Sequence, residues 1–392
     1  LAAVARLASA DPAQALRHLD EAFDGVPPDD APLGRVAQDL RARALFALDR
    51  PGPALAAARD VARRGPAEGE PAWRVHTRLA AALVEHGIAL RGAGDPEGAR
   101  RDFVEAAETL QRAVAAGMPE SEQHLKLGEI RFAEERFLDA MNAFDRAAQL
   151  DPRNVDAYLD LASVWRTQYL LEEDTSYLDG ALDDLHKALA AAPGDARVLA
   201  ALGETLVMSG RQSEGLPFLM RAILADPSQK GARVLAARLM VQAGRKHLEK
   251  RELGEARVAA DRALALDPPA VDAYVFHGEV LRGEGDWERA RVALEDARKR
   301  FPGSADAEVA LKRFYSDLGH GYLLQRDPGR AITAFRRALE IPGSDDVTES
   351  IRERLVSMAA RAFGDGMAAR ESGDLERAVR EFRLSADADP TP

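Results

Sequence analysis

Cysteine is absent from all 392 residues, which excludes disulfides, thiolate metal sites and cysteine nucleophiles together. It leaves the compartment open between cytoplasm and periplasm. Aromatic residues make up only 6% of the chain, which argues against β-sandwiches, whose strands favour aromatic and β-branched side chains. Positive charge is the minority sign. Lys and Arg number 53 against 65 Asp and Glu, giving a formal net charge of −12, a poor match for a nucleic-acid backbone. Nothing comes near the roughly 18 consecutive apolar residues of a membrane-spanning helix. The stretch Ala2 to Ala8 is interrupted by Arg6 and does not read as a signal peptide. Leu1 follows no methionine, and Thr391 and Pro392 close no helix, so both ends read as cuts in a longer chain.

Against these absences stands an excess of alanine, about a fifth of the residues, which favours close-packed helices. Hydrophobic residues at 46% and charged residues at 30% describe a folded chain rather than a disordered one. Arginine outnumbers lysine 46 to 7, which together with the alanine points to a GC-rich bacterial source.

The alanines are periodic. Prolines recur at Pro152, Pro193, Pro227, Pro268, Pro302 and Pro390, four of them in Leu-Asp-Pro or Ala-Asp-Pro tails. Five residues before each lies a small residue: Ala147, Ala188, Ala222, Ala263, Ala297 and Ser385. Eight before stands a large apolar one, as at Phe144, Leu185, Leu219, Leu294 and Phe382, and twelve before another alanine, as at Ala140, Ala181, Ala256, Ala290 and Ala378. Glycine opens the pattern at Gly128, Gly203, Gly244, Gly278 and Gly366. Offsets of three, four and seven share one helical face, small residues let two antiparallel helices approach closely, and proline stops the second helix. Gly94-Asp95-Pro96, Gly285-Asp286 and Gly373-Asp374 supply the turn and cap between the helices. The unit is a helical hairpin of about 34 residues that must stack to bury its apolar face.

On these residues the sequence resembles the tetratricopeptide repeat family. Leu127, Gly128, Ala140, Phe144, Ala147 and Pro152 fall on signature positions; Tyr158, Tyr274 and Tyr322 match its first-helix aromatics. Weaker copies run upstream through Ala15, Leu19, Ala22 and Pro27, then Ala54, Val61 and Pro66, then Gly87, Ala99, Phe103 and Ala106. Downstream, Tyr315, Leu318, Gly319, Ala331, Phe335 and Ala338 continue it. The resemblance implies an all-α solenoid of about ten hairpins wound as a right-handed superhelix.

A longer period overlies the first. Pro152, Pro227 and Pro302 are 75 residues apart, so units of about 34 and 41 residues alternate. The extra residues fit a longer first helix or a longer turn. The division expected is divergent repeats over 1–119, a central array over 120–344 and a C-terminal repeat over 345–392 that continues past the end. Residues 1–119 carry 15 basic and 17 acidic side chains, leaving most of the negative charge on the well-formed repeats.

No catalytic, cofactor or metal motif appears: there is no HExxH, GxGxxG, GxxxxGK[ST] or GxSxG. The eight histidines are dispersed, and His86 and His277 read as packing variants. Glu172, Glu173 and Asp174 with Asp179, Asp183 and Asp184 lack the spacing of a calcium loop. Arg245, Lys246, Lys250 and Arg251 form the densest basic cluster, interrupted by Glu249 and Glu252 and free of interleaved aromatics.

In the family resembled, first helices line an inner groove that holds peptide segments or partner helices. The resemblance then places the residue after each repeat glycine in the groove: Glu129, Glu204 and Glu279, spaced 75 apart, with Ser163, Arg245, His320 and Met367. Phe132, Arg166, Met208 and Arg282 join the candidate set, among apolar positions that include Leu125, Val241, Val275, Leu324 and Phe363. The glutamates read as an acidic ladder for a basic or amphipathic partner segment, and glutamate at these positions argues against a carboxylate clamp. The acidic Glu172–Asp184 and basic Arg245–Arg251 stretches also suggest self-association. The expectation is a non-enzymatic scaffold or adaptor in a bacterial multiprotein complex, with the cell envelope as one setting. It carries no cofactor, metal, nucleic acid or membrane span. The alternative is a regulatory or sensor array attached to a catalytic domain elsewhere.

Overall fold

The computed structural model describes residues 38–389 except 46, 47, 68, 267, 269 and 344, together with Leu16, Arg17 and Leu19. The repeat positions Ala15, Ala22, Pro27 and Pro390, His18 and both chain ends lie outside the described residues. Two compact units divide the chain, Leu1–Arg211 and Gln212–Pro392. The first holds a helical segment at 38–45, then α1 (Pro51–Arg64), α2 (Ala72–Gly92), α3 (Pro96–Ala115), α4 (Glu120–Ala133), α5 (Phe137–Leu150), α6 (Val155–Glu172), α7 (Ser176–Ala191) and α8 (Ala196–Met208). The second holds α9 (Gln212–Ala225), α10 (Lys230–Glu249), α11 (Leu253–Ala265), α12 (Val271–Gly283), α13 (Trp287–Arg300), α14 (Ala305–Leu324), α15 (Pro328–Leu339), α16 (Asp346–Glu371) and α17 (Leu375–Ala388). Among the described residues there is no strand, and no helix is long and apolar enough to cross a membrane.

The periodic residues build the hairpins as their spacing requires. Ala140, Ala147, Ala181, Ala188, Ala256, Ala263, Ala290 and Ala297 are fully buried between helices. A Cβ on Gly87 of α2 would come within 2.7 Å of the Phe103 ring of α3, and one on Gly319 of α14 within 2.5 Å of Phe335 of α15. Each aromatic thus occupies the space a side chain would need. The α10/α11 hairpin departs from the scheme: Ala260 of α11 stands at the large-residue position, and Phe276 of α12 fills the space over Gly244 instead. Pro152, Pro193, Pro227 and Pro302 each sit two residues past a helix end, where no further ladder bond can form.

The 75-residue period now has a physical form. The hairpins α2/α3, α4/α5, α6/α7, α10/α11, α12/α13, α14/α15 and α16/α17 all turn in three residues. Length varies in the first helix instead: α4, α8 and α12 have 14, 13 and 13 residues, whereas α6, α10 and α14 have 18, 20 and 20. Outside α6/α7 the turn keeps one geometry because its hydrogen bonds fix it. In α2/α3 the Asp95 N–H donates to the Leu90 carbonyl at 2.9 Å and the Gly94 N–H to Arg91 at 3.0 Å; Asp327 and Arg326 repeat this pattern onto Tyr322 and Leu323. In those six turns the middle residue is left-handed, and where glycine is absent Glu135, Arg251 and Arg326 take that conformation; in α6/α7 the first turn residue, Glu173, takes it instead. Asp95, Asp286, Asp327 and Asp374 then cap the second helices through side-chain acceptors.

Within each unit, neighbouring first helices pack directly against one another. The second helices stand further apart, and among the described residues only α15 and α17 are in mutual contact. First helices therefore lie on the tighter side of each stack, and clefts open between second helices on the other.

Candidate partner-binding surface

On the tighter side of the first unit, α4, α6 and α8 bring several charged residues together. Glu129 accepts from Lys126 Nζ at 2.5 Å, one turn back on α4. Burial raises its carboxyl, and the charge and hydrogen bond of Lys126 oppose that rise without cancelling it. Asp160 of α6 is pushed further, up to about 7, first by burial and then by the Glu129 carboxylate, with Asp156 adding to the rise and Lys126 and Arg197 opposing it. Among the described residues Asp160 has neither hydrogen bond nor ion pair. Its neighbour Asp156 is held by Arg197 of α8 at 2.7 Å.

The other candidates are engaged more locally. Glu204 of α8 is paired with Arg166 of α6 at 3.0 Å. Ser163 donates its hydroxyl to the Leu159 carbonyl at 2.9 Å, and Phe132 is partly buried with its ring 5.9 Å from that of Phe137. Met208 ends α8 half-buried.

In the second unit Glu279 of α12 lies 3.8 Å from Arg245 of α10, and Arg282 of α12 pairs with Asp317 of α14. Arg245 and Glu279 border a cavity of about 410 Å³ whose wall includes Asp272, Val275, Asp306 and Arg313. His320 turns inward, its Nδ1 2.8 Å from the Ser316 carbonyl and its ring edge-on to Phe335. Of the apolar candidates, Leu125, Val241 and Val275 are core residues, while Leu324 and Phe363 are exposed.

The ladder is thus a row of acid–base pairs, and the sequence reading had missed its cations as partners. It had also missed Asp160 and Asp156. The signal was present as opposite charges about one repeat apart: Arg166 and Glu204 are 38 residues apart, Asp156 and Arg197 41, Arg282 and Asp317 35.

Two sequence readings gain chemistry. His86 is more than a packing variant, since its Nδ1 lies 2.5 Å from buried Asp102 of α3. His277 sits 3.7 Å from Asp261, with its imidazole held below the usual range, chiefly by burial. The acidic run of α6/α7 has local duties: Glu172 accepts from Tyr177, Asp174 from the Ser176 N–H, and Asp184 from both Trp165 Nε1 at 3.0 Å and Lys187.

The tetratricopeptide repeat family model matches residues 84–154, 125–184 and 241–305, in phase with the hairpins described. This chain carries tetratricopeptide repeats. The repeats account for the Gly–Phe contacts, the three-residue turns and the terminal prolines together. Solved structures similar to this repeat array include YrrB, a TPR protein with an unusual peptide-binding site (22% identity, 52% of this chain and 97% of that one, TM-score 0.39). They also include PilF of Pseudomonas aeruginosa (15% identity, 62% and 99%, TM-score 0.39). A tetratricopeptide repeat protein of Parabacteroides merdae is a third (16% identity, 69% and 96%, TM-score 0.35). No curated protein matches the sequence.

Proposed function

We propose that this repeat array is a non-enzymatic scaffold that holds a segment of a protein partner against its first helices, with a basic residue of that segment meeting Asp160 and Glu129. The observation that carries this reading is Asp160, a partly shielded carboxylate with carboxylate neighbours and, among the described residues, no ion-pair partner. An incoming ammonium or guanidinium would supply the missing counter-charge and lower the carboxyl back toward its ordinary value. The apolar and mixed-charge lining of the Arg245–Glu279 cavity favours an extended or helical segment over a small metabolite. The arginine- and alanine-rich composition supports a bacterial source, and the multiprotein setting is part of the proposal.

The test uses a fluorescein-labelled peptide of repeating Lys-Ala-Leu and its Glu-Ala-Leu counterpart, read by anisotropy on the full chain. The lysine peptide should bind more tightly at pH 8 than at pH 6, because Asp160 loses its proton near about 7. Asp160→Asn with Glu129→Gln should weaken it about tenfold or more and remove the pH dependence. Unchanged binding of the lysine peptide to that variant would sink the reading.

A further inference from the structure

The second helices tell a separate story. In the first unit α3, α5 and α7 together carry five Lys and Arg against nine Asp and Glu, whereas α13 and α15 carry eight against three. A chain of net charge −12 therefore has one pair of neighbouring second helices that is strongly basic. Between them, floored by α14, opens a cleft of about 650 Å³.

Its lining separates into committed and uncommitted charges. Glu295 is spoken for, accepting from Arg291 Nη1 at 2.9 Å and from the Tyr315 hydroxyl at 3.0 Å. Arg291 is shared between Glu295 and Glu288, and Lys299 lies 3.5 Å from Asp296. Arg298 of α13 and Arg337 of α15 line the same cleft, and among the described residues neither makes a hydrogen bond or an ion pair. The floor is apolar: Leu311 and Ile341 are buried, and the Tyr315 ring is buried with them, its hydroxyl already in use. Last-turn positions favour cations through the helix dipole, which accounts for basic residues at both helix ends. It does not account for two guanidiniums left without partners over an apolar floor.

We propose that the α13–α15 cleft docks an acidic amphipathic segment of a protein partner, a carboxylate lying between Arg298 and Arg337 and an apolar side chain on Leu311 and Ile341. Guanidinium forks match carboxylates in a planar, two-bond geometry. A nucleic-acid strand fits worse, because Glu295 and Glu340 stand in the wall and the one aromatic ring is buried, leaving no stacking platform. This surface lies on the opposite side of the stack from Glu279 and is independent of the groove reading.

The experiment titrates the full chain into the labelled Glu-Ala-Leu peptide, with single-stranded DNA of matched charge in parallel. Arg298→Gln with Arg337→Gln should weaken peptide binding about tenfold or more. Arg289→Gln with Arg330→Gln removes the same charge outside this cleft and should leave binding within about twofold. Asp160→Asn with Glu129→Gln should leave it unchanged, so failure here and failure of the groove reading are told apart. Circular dichroism confirms that each variant keeps its helicity. Equal loss in both arginine pairs, no loss in either, or DNA binding as tight as the peptide would each overturn the proposal.

Discussion

Asp160 on α6 and Asp345 at the start of α16 are both partly shielded from water, yet their carboxyls move in opposite directions. Asp160 rises to about 7, whereas Asp345 falls to about 2. Burial raises both. At Asp345 it is outweighed by hydrogen bonds from Lys312 Nζ at 2.9 Å and from the N–H and hydroxyl of Thr348, each at 2.8 Å. At Asp160 the nearby charges include carboxylates and, among the described residues, no donor reaches it. Repeats of one design thus bury acids in both units, but residues outside the repeat pattern decide whether the buried charge is a clamp or an open acceptor. Lys312 shows the clamp at its fullest: it is 1% exposed and also donates to the Gly343 carbonyl at 2.7 Å, tying the loop before α16 to α14.

The largest effect should come from breaking that clamp. Lys312→Ala leaves Asp345 and the Gly343 carbonyl without their donor and should cost about 3–5 kcal/mol in urea unfolding at pH 7. The sign of its pH dependence follows from the depressed carboxyl. The pair's contribution is present above the ordinary carboxyl value of 3.8 and is lost as pH falls through about 2. The gap between wild type and variant should therefore narrow on acidification from neutral pH. A gap of constant size would mean that Lys312 acts through packing alone.

Asp160 should behave in the reverse sense. Its raised carboxyl makes the native state most favoured while the group is protonated, below 3.8, and that advantage is lost as pH rises through about 7. Asp160→Asn removes the ionisation and should stabilise the protein by about 1–3 kcal/mol at pH 8, with no gain at pH 4. Denaturation midpoints at the two pH values check it. A stabilised variant that no longer binds the lysine peptide would mark Asp160 as a position held for function at a cost in stability.

Much of the fold could be read from spacing, because most hairpins bury their own periodic residues: Gly128 meets Phe144 and Gly319 meets Phe335 at fixed offsets within one unit. The site was only partly legible for the complementary reason. Arg166 reaches Glu204, and Arg282 reaches Asp317, across stacked first helices, so their pairing depends on how one repeat is offset against the next. The alternation of 13–14 and 18–20 residue first helices in the central array shifts that offset from repeat to repeat. Asp160 was invisible to a search keyed on the residue after glycine, since it lies two positions before Ala162, which takes the glycine's place in α6.

The smallest effects separate Glu129 from Glu279, which share a repeat position. Glu279 has an arginine 3.8 Å away and Arg245 is half-exposed, so Glu279→Gln should change stability by less than about 0.5 kcal/mol. Glu129 instead supplies the leading charge that raises Asp160. With Glu129→Gln that repulsion vanishes and Lys126 is released from its 2.5 Å bond, free to attract the remaining carboxylate. The Asp160 carboxyl should then titrate lower, toward 3.8, as followed by carbon-detected NMR. The stabilisation gained from Asp160→Asn should be smaller in that background than in wild type, because the two carboxylates share one repulsion and their effects cannot add. Strict additivity of the two substitutions would show that Glu129 adds nothing to the rise at Asp160.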